Sequence, residues 1–262
     1  MSVVRLALRT IASGKRMRDK AVIAAHWGTI PLFPLGMVAR KVGRPLPDPR
    51  PWLGEYVVCD SGGVFACPAS TSPFFLALDP SYDPALFRLI DALQGGVFVD
   101  AGASIGFTAV RAARRADRVV AVEPHPVRFA YLERNVKLNG LTNITCINCA
   151  LGSADGVISM FDVDATLGPH TLDPSTRPGS GPRFDVRLRR LDELVEGGVT
   201  LLKVDVEGAE LEVLRGAGDL LASRPLVHVE SLGGKTLSGL QELLPDYSFE
   251  ALDGHNFLAS PN

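Results

Sequence analysis

An aspartate and two glycines follow an apolar segment near residue 100. Residues 97–99 predict a buried strand, and Asp100, Gly102 and Gly106 come next in the pattern Asp-x-Gly-x-x-x-Gly. Residues 107–116 are mostly small or apolar, apart from three arginines, and predict a helix. Open α/β sheets bind cofactors at such a turn, because glycine lets the backbone approach a ligand and the first helical turn has unpaired N–H groups. The sequence therefore predicts a cofactor site at the end of this strand.

A carboxylate ends the next predicted strand. Residues 118–122 are largely apolar, and Glu123 follows them about twenty residues past Gly102, the spacing at which a carboxylate reaches ribose hydroxyls in dinucleotide folds. The dinucleotide fingerprint itself is not met, because Ala101 and Ala103 occupy two of its three glycine positions. An NAD(P)-dependent oxidoreductase is therefore kept only as an alternative.

Two further carboxylates, Asp205 and Glu207, alternate at the exit of a buried strand that is predicted over 199–208 and breaks at Gly208. Carboxylates placed there could orient a substrate or act as general base, and a divalent cation shared with Glu230 is one option. The alternative is that Glu207, together with Glu210, only stabilises the positive N-terminus of the following helix.

His170 lies in a long segment, residues 152–183, that is rich in Gly, Pro, Ser, Thr and Asp. A segment of this length exceeds a simple connection, and long loops on a rigid scaffold commonly hold substrates. The pKa of histidine suits a general base. The alternative is a histidine that is merely solvated.

The charge of the 262-residue chain is unevenly distributed. The whole chain has a net charge of −2, which predicts no general attraction to nucleic acid, but residues 1–50 contain ten Lys or Arg and only two Asp. Prolines at 45–51 predict a stiff linker. We therefore expect a basic N-terminal helical segment at 1–50, acting as a lid or docking on a surface, and a second domain at 51–262 that begins with a hairpin at 55–67.

Residues 21–39 contain no Lys, Arg, Asp or Glu. Pro31 and Pro34 interrupt a single helix, so the segment predicts a helix followed by an apolar turn that packs over the core or the active site. A peripheral membrane contact that uses the flanking basic residues is the alternative.

Four cysteines are too few for a disulfide framework in a chain of this length. Cys146 and Cys149 form a C-x-x-C, which would fit zinc or redox chemistry. They fall, however, in an apolar run at 144–151 that predicts one buried strand, where residues three apart face opposite ways. We expect core cysteines, reduced thiols and a cytoplasmic location, with membrane association at the cytoplasmic face as an option.

The most distinctive segment is residues 203–217, Lys-Val-Asp-Val-Glu-Gly-Ala-Glu-Leu-Glu-Val-Leu-Arg-Gly-Ala. It resembles the signature of the FkbM family of S-adenosylmethionine-dependent methyltransferases. Residues 99–106 are similar to the first motif of that family, and Glu123-Pro124 with residues 135–139 to its second block. The resemblance covers about residues 53–260, although Ala101 and Ser104 stand where family members often carry Gly and Asn.

The resemblance implies a Rossmann-like α/β fold of the class I methyltransferases, with a seven-stranded, mostly parallel sheet that ends in an antiparallel hairpin and a cofactor-binding core at 95–260. It also implies O-methylation of a glycan, a lipid-linked sugar or a secondary metabolite, with a non-catalytic cofactor-binding protein as a further alternative. The catalytic candidates are Asp205, Glu207 and His170, and no resident metal is expected. The predicted residues of the S-adenosylmethionine site are Asp100, Gly102, Ser104, Gly106, Glu123, Asn148 and Ala150.

Overall fold

The computed structural model describes residues 3–29, 50–59, 62–68, 83–161, 183–206, 208–230 and 235–262. The chain divides into two compact units, Met1–Pro84 and Ala85–Asn262. The catalytic candidates Glu207 and His170 lie outside the described residues.

The described residues of the first unit form three helices and two strands: α1 (Val3–Ser13), α2 (Met17–Thr29), α3 (Arg50–Leu53), β1 (Tyr56–Cys59) and β2 (Val64–Cys67). The strands pair antiparallel, with Tyr56 opposite Cys67, where the sequence predicts a hairpin. This hairpin belongs to the same compact unit as the N-terminal helices, and the functional boundary at residue 50 stays a prediction. In the described part of the chain, each helix is too short or too polar to cross a bilayer.

The second unit is built on a seven-stranded sheet in the order β11-β12-β10-β9-β3-β4-β5. Neighbouring strands are parallel except that β12 runs antiparallel to both β10 and β11. This confirms the predicted class I methyltransferase sheet and its antiparallel terminal hairpin. The strands are β3 (Val97–Ala101), β4 (Arg118–Val122), β5 (Ile144–Ile147), β9 (Leu201–Val204), β10 (Leu226–Glu230), β11 (Tyr247–Ala251) and β12 (Asn256–Pro261).

Apolar residues cover both faces of this sheet, because successive side chains of a strand point to opposite sides. Phe98 and Val119 belong to one hydrophobic cluster, and their neighbours Val99 and Val120 belong to the other. Central parallel strands are therefore continuous apolar runs, and this makes them recognisable from the sequence alone. The helices of this unit are α4 (Pro84–Asp91), α5 (Phe107–Ala112), α6 (Pro126–Leu138), α7 (Glu210–Arg215), α8 (Gly218–Leu221) and α9 (Lys235–Leu243).

The strand order reverses between β3 and β9. From β3 the chain moves to β4 and β5 on one side, and from β9 it moves to β10 on the other. Such a switch point opens a crevice at the carboxyl ends of the strands, where open α/β sheets bind their ligands. Asp100 of β3 pairs with Lys203 of β9 in the sheet register, so both strands end at this point.

One predicted strand is wrong. The apolar run at 144–151 divides into β5, which belongs to the large sheet, and β6 (Ala150–Leu151). Strand β6 joins a separate three-stranded sheet with β7 (Gly156–Phe161) and β8 (Arg183–Arg189). Asn148 lies between β5 and β6, and its side-chain amide donates to two carbonyls of the loop after β4.

Cys146 of the C-x-x-C pair lies on β5, and Cys149 lies between β5 and β6. Cys149 is buried, Cys146 is half-buried, and both are free thiols. Burial raises the pKa of each thiol to about 11. Because the thiolate is the metal-binding and redox-active form, these protonated thiols fit the predicted core position.

Candidate functional site

The glycine turn after β3 packs directly against the turn after β9. Gly102 has a φ of +86°, and a Cβ atom built on it would lie 1.8 Å from the carbonyl oxygen of Asp205. Only glycine fits this conformation and this contact. The amides of Gly102 and Ala103 donate to the Val122 carbonyl at 3.0 and 2.9 Å, which fixes the turn against the end of β4.

The same turn continues in the left-handed region. Ser104 has a φ of +52°, which is uncommon for a residue with a side chain. Gly106 has a φ of +95°, and a Cβ atom there would lie 2.7 Å from Leu132 Cδ1 in the core. Asn135 of α6 is buried and donates from its side-chain amide to the Ile105 carbonyl at 2.8 Å. The loop is therefore held from the α6 side as well.

Glu123 lies at the end of β4 with only 5% of its surface exposed. Its Oε2 accepts the Ser104 N–H at 2.8 Å, and its Oε1 accepts the His125 N–H at 2.8 Å. Burial raises the pKa of Glu123 above its ordinary value of 4.5, and the cation of Arg128 and the two backbone donors partly oppose this shift. Each oxygen can still accept a second hydrogen bond, so the carboxylate keeps the capacity to bind hydroxyl groups.

A buried lysine joins the two turns. Lys203 Nζ lies 3.2 Å from Asp100 Oδ1 and 3.1 Å from Asp205 Oδ2, and it donates to the Gly102 carbonyl at 3.3 Å. The other carboxylate oxygen of Asp100, which is fully buried, accepts a hydrogen bond from the Thr108 hydroxyl. Burial alone would lower the pKa of Lys203, but Asp100 and Asp205 raise it above its ordinary value. Lys203 is therefore a permanent cation between two carboxylates.

Sequence reasoning missed Lys203 as a site residue. The signal is present, because a single lysine interrupts the otherwise apolar strand β9, and a buried charge needs a partner. The sequence does not show which carboxylates are its partners, since Asp100 is about one hundred positions away and becomes a neighbour only through the strand order.

Asp205 is the catalytic candidate that the structure describes. Its side chain is 23% exposed, and its backbone N–H donates to the Ala101 carbonyl at 3.0 Å. Glu210, the first residue of α7, is buried and accepts the Gly208 N–H at 2.7 Å. Burial raises the pKa of Glu210, and the Asp205 carboxylate adds to this shift. Asp205 thus lies at the site with a cation on one side and a second acid nearby.

The two predicted adenine contacts follow β5. Asn148 donates from its side-chain amide to the Glu123 carbonyl at 2.8 Å and to the Pro124 carbonyl at 3.1 Å. Ala150 is buried and pairs with Leu188 of β8. The loop after β5 is thereby tied to the loop after β4, next to Glu123.

His125 is a second supporting residue that sequence reasoning missed. It caps α6, with Nδ1 accepting the N–H groups of Val127 and Arg128 at 3.2 and 3.4 Å. Its ring packs edge-on against Phe184 at 5.1 Å. The Glu-Pro-His-Pro sequence carries the signal, since a capping side chain immediately before a proline marks the start of a helix.

Glu230, the proposed partner in a divalent cation site, lies half-buried at the end of β10. Within the part of the chain that the structure describes, no three His, Cys, Asp or Glu side chains are grouped as metal ligands. The cation that the structure places against Asp205 is Lys203, with Nζ 3.1 Å from Asp205 Oδ2.

The residues at the switch point fit S-adenosylmethionine. Its sulfonium and ammonium groups are cationic, and the described site carries three acids, Asp100, Glu123 and Asp205, which outnumber the buried cation of Lys203. Gly102 and Ser104 are only partly buried, so the turn that they form is accessible. A carboxylate with free acceptor capacity, an accessible glycine turn and an acidic surrounding are the features that a ribose and a cationic amino-acid chain require.

The chain is similar to known methyltransferases. Residues 100–250 match the methyltransferase FkbM domain. The chain is 32% identical over 155 residues to methyltransferase sdnD of Sordaria araneosa, covering 46% of this chain and 60% of that protein. It is 35% identical over 162 residues to hexuronic acid methyltransferase AglP of Haloferax volcanii, covering 60% of this chain and 65% of that protein.

The chain therefore matches less than two thirds of the length of these relatives. Among solved structures it is similar to methyltransferase FkbM of Methylobacillus flagellatus, with a TM-score of 0.47 and 17% identity, covering 98% of this chain and 58% of that one. The family match spans more than half of the 262 residues and includes the glycine turn, Glu123 and Asp205. The resemblance seen in the sequence is thus confirmed: the chain belongs to the FkbM methyltransferase family.

Proposed function

We propose that this chain transfers the methyl group of S-adenosylmethionine to an oxygen atom, most directly a hydroxyl group of a glycan, a lipid-linked sugar or a secondary metabolite. The observation that carries the proposal is the contact between Gly102 and the Asp205 carbonyl, which brings the glycine turn after β3 against the acidic turn after β9 at the point where the strand order reverses. The name of one relative, hexuronic acid methyltransferase, supports a sugar as the acceptor.

The cofactor side of the crevice consists of the turn after β3 and the carboxylate after β4. Glu123 accepts the two ribose hydroxyls with its remaining lone pairs, while Ser104 and His125 hold it in place. Gly102 and Gly106 shape the turn so that its backbone lines the methionine end. Asp100 stabilises this turn through Thr108 and Lys203. Asn148 and Ala150 would hold the adenine.

The acceptor side is the turn after β9. When bound, the sulfonium supplies an electrophilic methyl group, so the protein must align the acceptor oxygen with it and remove one proton. Asp205 accepts this proton or orients the hydroxyl, and Lys203 holds its carboxylate in place at 3.1 Å. The chemistry that the bound cofactor would supply is transfer of a methyl group from sulfur to the acceptor oxygen, with a neutral thioether as the leaving group. Glu207 and His170 are the further base candidates that the sequence supplies.

Calorimetric titration of the purified chain with S-adenosylhomocysteine and with NADH tests the cofactor. We expect binding of the first and none of the second, and the reverse result would favour an oxidoreductase. Glu123→Ala should abolish nucleoside binding, whereas Glu133→Ala, at an exposed position of α6, should leave it unchanged. Thermal melting of both variants separates a binding defect from unfolding.

Transfer of a labelled methyl group to fractionated cell extract then tests catalysis. We expect the label in a glycan or small-metabolite fraction, with loss of transfer in Asp205→Asn. A chain that binds S-adenosylhomocysteine but labels no fraction would instead be a non-catalytic binding protein.

A further inference from the structure

The N-terminal unit presents exposed apolar side chains among basic ones. Leu8 on α1 is 62% exposed, Met17 at the start of α2 is 79% exposed, and Trp52 on α3 is 76% exposed. Exposed basic residues accompany them at Arg9, Arg16 and Arg18. We call these six residues the basic–apolar surface.

The exposed side of α2 extends this surface. Met17, Ala21, Ala24 and Ala25 are exposed at spacings that place them on one helix face, and none of them is polar. On α1, Leu8, Arg9 and Ala12 are exposed at the same kind of spacing. The exposed faces of both helices thus carry apolar residues together with arginines. The exposed face of a surface helix normally carries charged and polar residues instead.

The one acid in this region is turned inward. Asp19 is the only acidic residue among the described residues 3–29, and it is buried. Its Oδ2 accepts the Arg16 N–H at 2.9 Å, and its Oδ1 accepts the Val57 N–H at 3.1 Å. A carboxylate in the first turn that bonds back to the residue before the helix is a capping arrangement. Asp19 therefore serves the fold, and the positive charge of the surface is not balanced by an acid on the exposed faces of α1 and α2.

The pieces of the surface are held together by packing within this unit. Helix α1 packs on α2, and α2 packs on α3. The Arg18 guanidinium lies 3.7 Å from the position that a Cβ atom of Gly54 would take, two residues from Trp52. Arg18 thus connects the start of α2 to the segment that carries the exposed indole.

We propose that the basic–apolar surface docks the protein on an anionic lipid bilayer. Leucine, methionine and tryptophan gain free energy by entering the headgroup–acyl boundary, and arginines beside them gain from anionic headgroups. Tryptophan is well suited to this boundary because its ring is apolar and its N–H can remain hydrogen-bonded. A nucleic acid would satisfy the arginines but offers no apolar phase for Leu8 and Met17.

Flotation of the purified full chain with lipid vesicles tests the proposal. The probes are vesicles of phosphatidylcholine alone and vesicles with about one third phosphatidylglycerol. We expect binding to the anionic vesicles, weakening at high salt, and little binding to the neutral ones. No flotation with anionic vesicles, or equal flotation with both kinds, would overturn the proposal.

Matched variants locate the contact. Two triple variants should each weaken vesicle binding at least about tenfold. In the first, serine replaces Leu8, Met17 and Trp52. In the second, glutamate replaces Arg9, Arg16 and Arg18. The controls lie on exposed positions of the second unit: Val127→Ser with Val157→Ser, and Arg88→Glu with Arg115→Glu and Arg187→Glu. A control that weakens binding as much as its matched set would contradict the assignment.

Intrinsic fluorescence gives a second readout, since the chain has only two tryptophans. Trp27 is 9% exposed, so a blue shift on adding anionic vesicles should come from Trp52. It should disappear in Trp52→Phe and persist in Trp27→Phe. Salt-sensitive binding of a DNA duplex that the serine variant retains, without a vesicle shift, would point to nucleic acid and reject the lipid proposal. Affinity for S-adenosylhomocysteine should be the same in every variant, so failure here is distinct from failure of the proposed function.

Discussion

The backbones of Gly102 and Asp205 are in close contact. A Cβ atom at residue 102 would lie 1.8 Å from the Asp205 carbonyl oxygen, so a residue with a side chain does not fit there. In a cofactor motif, glycine is expected because the backbone must come close to a ligand. At position 102, glycine is also required because the backbone comes close to Asp205. The turn after β3 and the turn after β9 can therefore be perturbed together at one position.

Gly102→Ala should lower the free energy of unfolding by about 3 kcal/mol, because it adds left-handed strain to a backbone overlap. Urea denaturation measures this change. Gly254→Ala, at a position with open space around it, is the matched control and should change stability by less than about 0.5 kcal/mol. Equal effects of the two substitutions would show that the contact does not hold.

Lys203→Met should destabilise the protein by about 3 to 5 kcal/mol, because it leaves the buried carboxylate of Asp100 without its cation. Adding Asp100→Asn to this variant should recover part of the loss, since the uncompensated charge is then removed. Denaturation of the two variants and of the exposed control Lys137→Met measures the effect. A double variant no more stable than Lys203→Met would argue that packing, not charge, is what Lys203 provides.

The free energy of unfolding should fall as the pH rises from 4.5 through the range in which Glu123 ionises in the folded protein. Burial raises the pKa of this group in the folded state, so the folded protein holds a proton that the unfolded chain has already released. One such group contributes a slope of at most about 1.4 kcal/mol per pH unit. Glu210 has a pKa shifted in the same direction, so its contribution adds to the slope.

Comparing Glu123→Gln with the wild type across this pH range isolates the contribution of Glu123. The variant should show the shallower fall in stability, and its affinity for S-adenosylhomocysteine should be both weak and insensitive to pH. In the wild type, affinity should increase with pH, because the carboxylate is the stronger acceptor for ribose hydroxyls. Identical slopes in the two proteins would contradict the raised pKa.

Asn148→Ala should weaken binding of S-adenosylhomocysteine about fivefold, because it frees the loop after β5 from the carbonyls of Glu123 and Pro124. Asn143→Ala is a close control, since Asn143 also donates to two carbonyls, those of Ala113 and Ala116, at 2.9 and 3.1 Å. Both variants should lose about 1 kcal/mol of stability, but only Asn148→Ala should lose affinity. Calorimetry and thermal melting separate the two effects.

Several elements could be predicted because their ends carry local signals. Helix α6 has the predicted bounds, Pro126 to Leu138, since proline starts it and Gly140, with a φ of +64°, ends it. The buried strands of the large sheet are recognisable as apolar runs that end at glycines or carboxylates. The run at 144–151 shows the limit: it is apolar throughout, and it breaks where the Asn148 amide bonds to a different strand end.

The sequence by itself determined the order of strands and helices, the glycine turn after β3, the carboxylates after β4 and β9, and the family. Each of these is a local pattern of apolarity, glycine and charge. Only the tertiary structure decided which groups meet. Lys203 forms ion pairs with both Asp100 and Asp205, and Glu123 accepts hydrogen bonds from the backbone N–H groups of Ser104 and His125. Lys203 and the Gly102 carbonyl that it contacts are 101 positions apart, so their contact depends on strand order, which local patterns do not encode.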